Sequence, residues 1–142
     1  TFFPGLDLFI LTARETCATY VPELPANTRG QSNFGGTVFI DAEQGYGALR
    51  ALDIHTGDLE WEFTYPSPTF GGVMSTASGL VFAGDHEGNF MAFSAETGEN
   101  LWHYQTGSRI WGAAAITYML DGLQYVLIPS GTTLTAFATR MP

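Results

Sequence analysis

Residues 51–61, Ala-Leu-Asp-Ile-His-Thr-Gly-Asp-Leu-Glu-Trp, decide the fold because residues 92–102, Ala-Phe-Ser-Ala-Glu-Thr-Gly-Glu-Asn-Leu-Trp, repeat their pattern. Ala, Thr, Gly and Trp recur at one constant offset, so that Trp61 corresponds to Trp102. The alternating side chains of residues 51–54 are typical of a half-buried strand. Thr-Gly then predicts a tight turn, and the strand that follows it carries the Trp. A generic hairpin with a core Trp explains one copy, but two copies at identical spacing indicate a structural repeat.

A period of about 40 residues with short strands is typical of the four-stranded blades of a β-propeller. A third, incomplete copy follows, because residues 134–137 echo residues 90–93 and the chain ends before another Thr-Gly turn. We therefore predict an all-β fold, a partial β-propeller of about 2.7 four-stranded antiparallel blades. Residues 1–66 form an incomplete blade without its innermost strand, residues 67–107 a complete blade, and residues 108–142 an incomplete last blade.

The first predicted blade is interrupted by a long loop at about 14–46, which we expect to be irregular because it holds several Pro and Gly residues. Strands are expected near 71–77, 79–84, 89–94, 100–105, 111–118, 123–129 and 133–138. Fewer than three blades cannot close a ring, and closure is how propellers protect their strand edges. The missing blades lie in the rest of a longer parent chain, in a partner chain, or in further copies of this one.

The composition limits the function classes. Hydrophobic residues make up 45% of the 142 residues, which is enough for a folded domain with a core. The net charge of −9 argues against binding of nucleic acid or of an anionic membrane surface, both of which need clustered basic residues. Cys17 is the single cysteine, so no disulfide forms within the chain. No stretch approaches the ~18 apolar residues of a membrane span.

Four segments together resemble a known family. The pattern Ala-x-Asp-x-x-Thr-Gly-x-x-x-Trp ending at Trp61 resembles the tryptophan-docking motif of eight-bladed quinoprotein dehydrogenases, and Trp102 carries it with Ser94 in place of Asp. Residues 70–84 are similar to the segment that opens the penultimate blade of pyrroloquinoline-quinone (PQQ) alcohol dehydrogenases. Asp-Gly-Leu-Gln-Tyr-Val at 121–126 is similar to the last blade of these enzymes, and residues 9–20 to the strand and loop entering the blade before.

The resemblance implies that the chain forms the C-terminal blades of a periplasmic PQQ-dependent alcohol dehydrogenase, which oxidises a small-molecule alcohol to an aldehyde. In this family a Ca²⁺ or lanthanide ion polarises the quinone, an Asp acts as general base, and hydride passes to the cofactor. The family's catalytic Asp, its metal-binding Glu and Asn, and its pair of adjacent cysteines come from earlier blades. We therefore expect no catalytic or metal-binding residue in this chain, and no activity of the chain alone.

The resemblance also implies five cofactor-binding residues. An aromatic residue before the Gly-Gly of the penultimate blade faces PQQ in the family, which predicts Phe70, with Gly71 and Gly72 allowing close backbone approach. Arg14 lies where relatives bring an Asn or a basic residue to the quinone, and Trp111 is the repeat-equivalent of Phe70. The alternatives are structural: Phe70 and Trp111 in the core, the glycines shaping a strand start, and Arg14 paired with Glu15 or another carboxylate.

Other residues of chemical interest have structural interpretations. His55, His86 and His103 lack metal-ligand spacing, so surface or edge positions are expected for them. Asp85, Glu87 and Asn89 are too closely spaced for a calcium loop and predict a hairpin turn. Two alternatives to the enzyme stay open at this point: a non-catalytic propeller with PQQ-like repeats that serves as a protein-binding scaffold, and another quinoprotein acting on sugars or polymeric alcohols.

Overall fold

The computed structural model of the chain describes residues 1–23 and 35–138, with residues 40–44 given by their backbone alone. Within these residues the regular elements are β-strands, arranged in three antiparallel sheets, which confirms the predicted all-β fold. Sheet 1 contains β1 (Phe2–Phe3), β2 (Leu8–Pro22), β3 (Gly36–Asp53) and β4 (Leu59–Tyr65) in chain order. Sheet 2 contains β5 (Val73–Ser75), β6 (Leu80–Gly84), β7 (Asn89–Ser94) and β8 (Asn100–Gln105), also in chain order. Sheet 3 contains β9 (Ile116–Leu120), β10 (Leu123–Ser130) and β11 (Thr133–Ala138), with β10 in the middle.

The sequence repeat is also a repeat of strand register. Ala51 lies opposite Trp61 in sheet 1, and Ala92 lies opposite Trp102 in sheet 2. In both sheets the register shifts immediately after this pair, which indicates a β-bulge at the same place. The small Ala leaves room on its own sheet for the indole beside it, so the pair is the unit that the sequence repeats.

The turns after these Ala residues are built in the same way. Gly57 has a φ of 78° and Gly98 has a φ of 71°, a backbone conformation that favours glycine. The N–H of each Gly donates a hydrogen bond of 2.9 Å, Gly57 to the carbonyl of Asp53 and Gly98 to that of Ser94. The predicted Thr-Gly turns are therefore present in both sheets.

The interface between sheets 1 and 2 contains the larger part of the core. The indole N–H of Trp61 donates a 2.9 Å hydrogen bond to the carbonyl of Ala95 in the next sheet, and the Trp61 side chain is 9% exposed. Phe63 and Phe93 meet edge-to-face across the interface, with ring centroids 4.8 Å apart. The other buried residues here are Leu8, Ile10, Leu49, Ala51, Tyr65, Val81, Ala83 and Met91.

The interface between sheets 2 and 3 is smaller. Side chains of β7 alternate, so that Phe93 faces sheet 1 while Phe90 faces sheet 3 and meets Phe137 at 5.6 Å between centroids. Trp102 packs edge-on against Phe137 at 5.2 Å but remains 40% exposed. The fully buried residues of this second cluster are Phe90, Ile110, Ala115 and Ile128.

Two predictions about sheet 1 are wrong. Residues 14–22 and 36–46 are not an irregular loop, because they continue β2 and β3 as one long two-stranded ribbon. The ribbon forms because residues 16–21 and 37–39 include β-branched and aromatic side chains, while the Pro and Gly residues at 25 and 30 lie outside the described residues. Sheet 1 also has an innermost strand, the short β1, whose residues pair with Leu8 and Phe9. The predicted domain boundaries stay predictions.

The order of the strands brings several connections to one end of the sheets. In an antiparallel sheet of four strands, the turn between the second and third strands lies at the same end as the connections entering and leaving the sheet. For sheet 2 these segments are residues 66–72, 85–88 and 106–115. The N–H of Ile110 donates to the carbonyl of Asp85 at 3.1 Å, and that of Gly72 to the carbonyl of Ala113 at 2.8 Å. Among the described residues, no helix has the length and hydropathy to cross a bilayer.

Candidate functional site

Five side chains meet at this end of the sheets, and we call them the aromatic cluster: Arg14, Phe70, His86, Arg109 and Trp111. The rings of Phe70 and Trp111 lie 4.4 Å apart between centroids, and the ring of His86 lies 5.3 Å from that of Trp111. Three of the five predicted cofactor-binding residues are therefore neighbours, although they come from three separate parts of the chain.

Arg14 reaches the cluster from β2. Its guanidinium carbon lies 4.3 Å from the centroid of the Phe70 ring, a cation–π geometry. Its Nε is buried and has no hydrogen-bond partner among the described residues. The alternative pairing with Glu15 is wrong, because Glu15 forms its ion pair with Arg50. Adjacent residues of a strand point to opposite faces, which separates Arg14 from Glu15.

Arg50 shows what an ordinary arginine does in this chain. It lies between Glu15 and Glu62 and bonds to both carboxylates. These hydrogen bonds raise the pKa of Arg50 above its usual value, and the bond to Glu62 has the larger effect. The contrast with Arg14, whose Nε is buried without such a partner, indicates that Arg14 is placed for something other than an ion pair within sheet 1.

Phe70 and Trp111 are not core residues. Phe70 is 40% exposed and Trp111 is 52% exposed, and their rings contact each other at the open end of the sheets. Each follows a buried residue, Thr69 and Ile110 respectively, that anchors the segment entering the next sheet. The sequence repeat thus places one aromatic ring in the segment entering sheet 2 and one in the segment entering sheet 3, and the two rings form a continuous apolar surface.

The structure explains Gly71 and Gly72 by packing inside the protein. A Cβ at Gly71 would collide with the carbonyl oxygen of Gly84 in β6, and a Cβ at Gly72 would collide with Ala114 in the next connection. Both glycines therefore allow close approach of protein backbone. Their contribution to the site is indirect, because they bring the segments that carry Phe70 and Trp111 together.

The turn between β6 and β7 holds the cluster in place. Asp85 is 2% exposed, and its carboxylate accepts hydrogen bonds of 2.7 Å from both the backbone and the side-chain amide of Asn89. Its backbone carbonyl accepts the N–H of Ile110. The predicted hairpin turn is present, and it fixes His86 against the segment that carries Trp111. Burial, together with the Asp85 carboxylate, raises the pKa of the Tyr65 phenol.

Sequence reasoning missed two members of the cluster. The sequence predicts only a surface or edge position for His86. The structure places it half-buried in the turn, with its Nδ1 buried without a partner among the described residues and its ring against Trp111. Arg109 lies with its guanidinium carbon 5.1 Å from the Trp111 ring. A signal for Arg109 was its position two residues before Trp111, since alternate residues of an extended segment share a side. His55 and His103 are exposed, as predicted.

The described residues fit part of a quinone site. Two exposed rings offer a flat apolar surface, and the unpartnered Nε of Arg14 offers a charged donor beside it. A planar, negatively charged molecule such as PQQ matches both features. No group of three His, Cys, Asp or Glu side chains that could hold a metal ion occurs in the part of the chain that the structure describes.

Comparison with known proteins identifies the family of the chain. The family model of the PQQ β-propeller domain of glucose, ethanol and alcohol dehydrogenases matches residues 64–126. Quinoprotein alcohol dehydrogenase PedH of Pseudomonas putida is 44% identical over 85 residues, which cover 60% of this chain and 14% of PedH. The chain belongs to the PQQ-dependent alcohol dehydrogenase family.

Solved structures of the family share the fold. The quinohemoprotein alcohol dehydrogenase ADHIIG of Pseudomonas putida has a TM-score of 0.79 and 30% identity, over 94% of this chain and 22% of that one. A europium-containing methanol dehydrogenase has a TM-score of 0.77 and 31% identity, over 89% of this chain and 23% of that one. These matches confirm the partial propeller. The chain spans between 14% and 23% of the length of these three relatives.

Proposed function

We propose that the chain supplies the C-terminal blades and part of the cofactor cavity of a PQQ-dependent alcohol dehydrogenase that oxidises an alcohol to an aldehyde. The observation that carries this proposal is the convergence of Arg14, Phe70 and Trp111. The family resemblance singles out Arg14 and Phe70, and the repeat offset from Phe70 singles out Trp111. The three side chains come together at one end of the sheets.

Each residue of the cluster has a role in this proposal. Phe70 and Trp111 present their ring surface to the flat cofactor and keep water from it. Arg14 would hold a quinone oxygen of bound PQQ with its guanidinium, where its positive charge would favour negative charge on that oxygen. PQQ supplies the hydride acceptor when it is bound. Gly71 and Gly72 act through packing, since their missing Cβ atoms let neighbouring backbone approach.

The chemistry itself requires residues from outside this chain. In the proposal the general base and the ligands of a Ca²⁺ or lanthanide ion belong to the missing blades, and the chain alone is inactive. The europium named for one similar structure supports the lanthanide alternative. The missing blades come from the rest of a parent chain, from a partner chain or from self-association. The periplasm is the proposed compartment, on the family resemblance alone.

The test is a titration of the purified chain with PQQ, with and without Ca²⁺ or La³⁺, followed by tryptophan fluorescence. We expect at most weak binding that the metal does not strengthen, because the metal ligands are elsewhere. Any binding should weaken in Arg14→Gln and Phe70→Ala, while Arg50→Gln serves as the control. PQQ-dependent dye reduction by the chain alone would contradict the assignment of the chemistry to other blades. Binding that ignores both cluster variants would contradict the cavity role.

A further inference from the structure

The distribution of arginine over the described residues is uneven. The chain has 14 acidic and 5 basic residues, and three arginines lie in the described part: Arg14, Arg50 and Arg109. Arg50 is held by two carboxylates. The other two both lie against the rings of the aromatic cluster, and neither forms an ion pair with a carboxylate whose side chain the structure describes. In an acidic protein, two uncompensated cations on one apolar surface indicate a site for negative charge.

The acidic groups nearest in sequence to the cluster are engaged elsewhere. The turn that carries His86 also carries Asp85 and Glu87. The Asp85 carboxylate bonds to Asn89 and is buried, and Glu87 accepts a hydrogen bond from the hydroxyl of Ser67. Neither carboxylate neutralises Arg109. The charge of Arg109 is therefore available to a ligand that lies on Trp111.

Two buried nitrogen atoms point to the same conclusion. The Nε of Arg14 and the Nδ1 of His86 are both buried and lack hydrogen-bond partners among the described residues. Buried polar atoms are nearly always paired, so two orphans in one cluster indicate an absent partner. A ligand with oxygen atoms at its rim supplies such a partner, and the rings of Phe70 and Trp111 provide the surface on which it lies.

We propose that Arg109 is a second cationic contact of the site, which makes the aromatic cluster selective for a flat ring that bears a carboxylate. Arg14 serves the Phe70 side of the surface and Arg109 serves the Trp111 side, while His86 orients Trp111 from the β6–β7 turn. The identity of the natural ligand rests on the proposed function. Its carboxylate belongs either to the quinone cofactor or to an acidic aromatic alcohol. The selectivity requires only the residues of this chain.

The experiment uses the full chain and two small probes that differ in one group. The indole N–H signal of Trp111, assigned by its loss in Trp111→Phe, is followed by NMR during titration with para-hydroxymethylbenzoate or benzyl alcohol. We expect the carboxylate to bind about fivefold or more tightly than the neutral alcohol, because a hydrogen bond to a charged group is stronger than a neutral one. Added salt should weaken binding of the carboxylate alone.

Substitutions separate this inference from the proposed function. Arg109→Gln should reduce the preference for the carboxylate, to which Arg14 still contributes, and leave benzyl alcohol unchanged, while the matched change Arg50→Gln alters neither. Equal binding of the two probes, absence of any saturable shift, or an unchanged preference in Arg109→Gln would each overturn the inference. A third titration uses PQQ. If Arg14→Gln weakens PQQ binding and Arg109→Gln does not, the proposed function stands and the inference fails. If the carboxylate preference holds but PQQ does not bind, the inference stands alone.

Discussion

The two indoles of the repeat occupy equivalent positions and have different surroundings. Trp61 donates its N–H to Ala95 of the next sheet and lies over Gly98, with 9% of its surface exposed. Trp102 has the same register with its Ala partner, but it meets only part of sheet 3 and stays 40% exposed. The difference teaches that the indole is stabilised by the turn of the following sheet. The hairpin that carries the indole fixes its position but does not shield it from water.

The largest expected effect comes from truncating the covered indole. Trp61→Ala removes a buried side chain and leaves the carbonyl of Ala95 without its donor, so the free energy of unfolding should fall by about 3–5 kcal/mol. Trp102→Ala should cost about 1–2 kcal/mol, because much of its surface is already in water. Urea denaturation followed by circular dichroism measures both. Equal losses would show that the two interfaces are alike.

The contact between the Trp61 indole and the turn of the following sheet is tested at the two turn glycines. Gly57→Ala and Gly98→Ala both place a side chain at positive φ, but nothing lies within 4 Å of a Cβ at Gly57, whereas a Cβ at Gly98 would meet the Trp61 ring at 2.6 Å. We expect a loss of about 1–2 kcal/mol for Gly57→Ala from the backbone alone. Gly98→Ala adds about 1–3 kcal/mol from overpacking.

The two glycine variants isolate the contact with the Trp61 ring, because their positions in the repeat and their backbone conformations are matched. The second measurement combines Gly98→Ala with Trp61→Phe, which removes part of the colliding ring and should recover part of the added loss. No recovery in the double variant would place the cost of Gly98→Ala in the turn itself and contradict the contact.

The smallest effect concerns the acidic residue of the turn. The Asp53 carboxylate accepts hydrogen bonds of 2.8 Å from the N–H groups of Thr56 and His55, and these lower its pKa below 3.8, the ordinary value. Ser94 accepts only one longer bond, of 3.3 Å, from Thr97. Because the folded-state pKa is lowered, the stabilisation by Asp53 is present above the ordinary pKa and is lost as the pH falls below it.

The check compares urea midpoints of the wild type, Asp53→Ser and Ser94→Asp from about pH 6 to about pH 2. Asp53→Ser should be slightly less stable than the wild type at the higher pH, with the gap closing in acid. Ser94→Asp should show a slight gain with the same pH dependence. A gap for Asp53→Ser that widens in acid would reverse the assigned direction of the pKa shift.

Much of the fold and part of the site could be predicted from the sequence, for one physical reason. Sheets that pack in series need the same small and large residues at the same places, so the constant offset between the repeats indicates the strands, the turns and the alignment of Phe70 with Trp111. Arg14 required the family resemblance, because nothing in its own segment shows which side chains its strand faces.

The rest depended on contacts between distant segments. The long ribbon of β2 and β3 was hidden because Pro and Gly residues near its far end are typical of loops, while pairing between residues as far apart as Ala18 and Ile40 leaves no local signal. β1 is too short to carry a pattern that could be detected. His86 and Arg109 join the site through the Asp85 turn, a tertiary contact that no periodicity encodes.

The packing of the three sheets in series has one further consequence. Sheet 2 lies between sheets 1 and 3, so the two boundaries of the described part of the chain are the outer face of sheet 1, which has four strands, and that of sheet 3, which has three. The two boundaries are unlike, so copies that join through them meet head-to-tail and cannot form a twofold-symmetric pair. Such heterologous contacts close into a cycle only when the rotation per subunit divides a full circle, and otherwise they grow into open fibres.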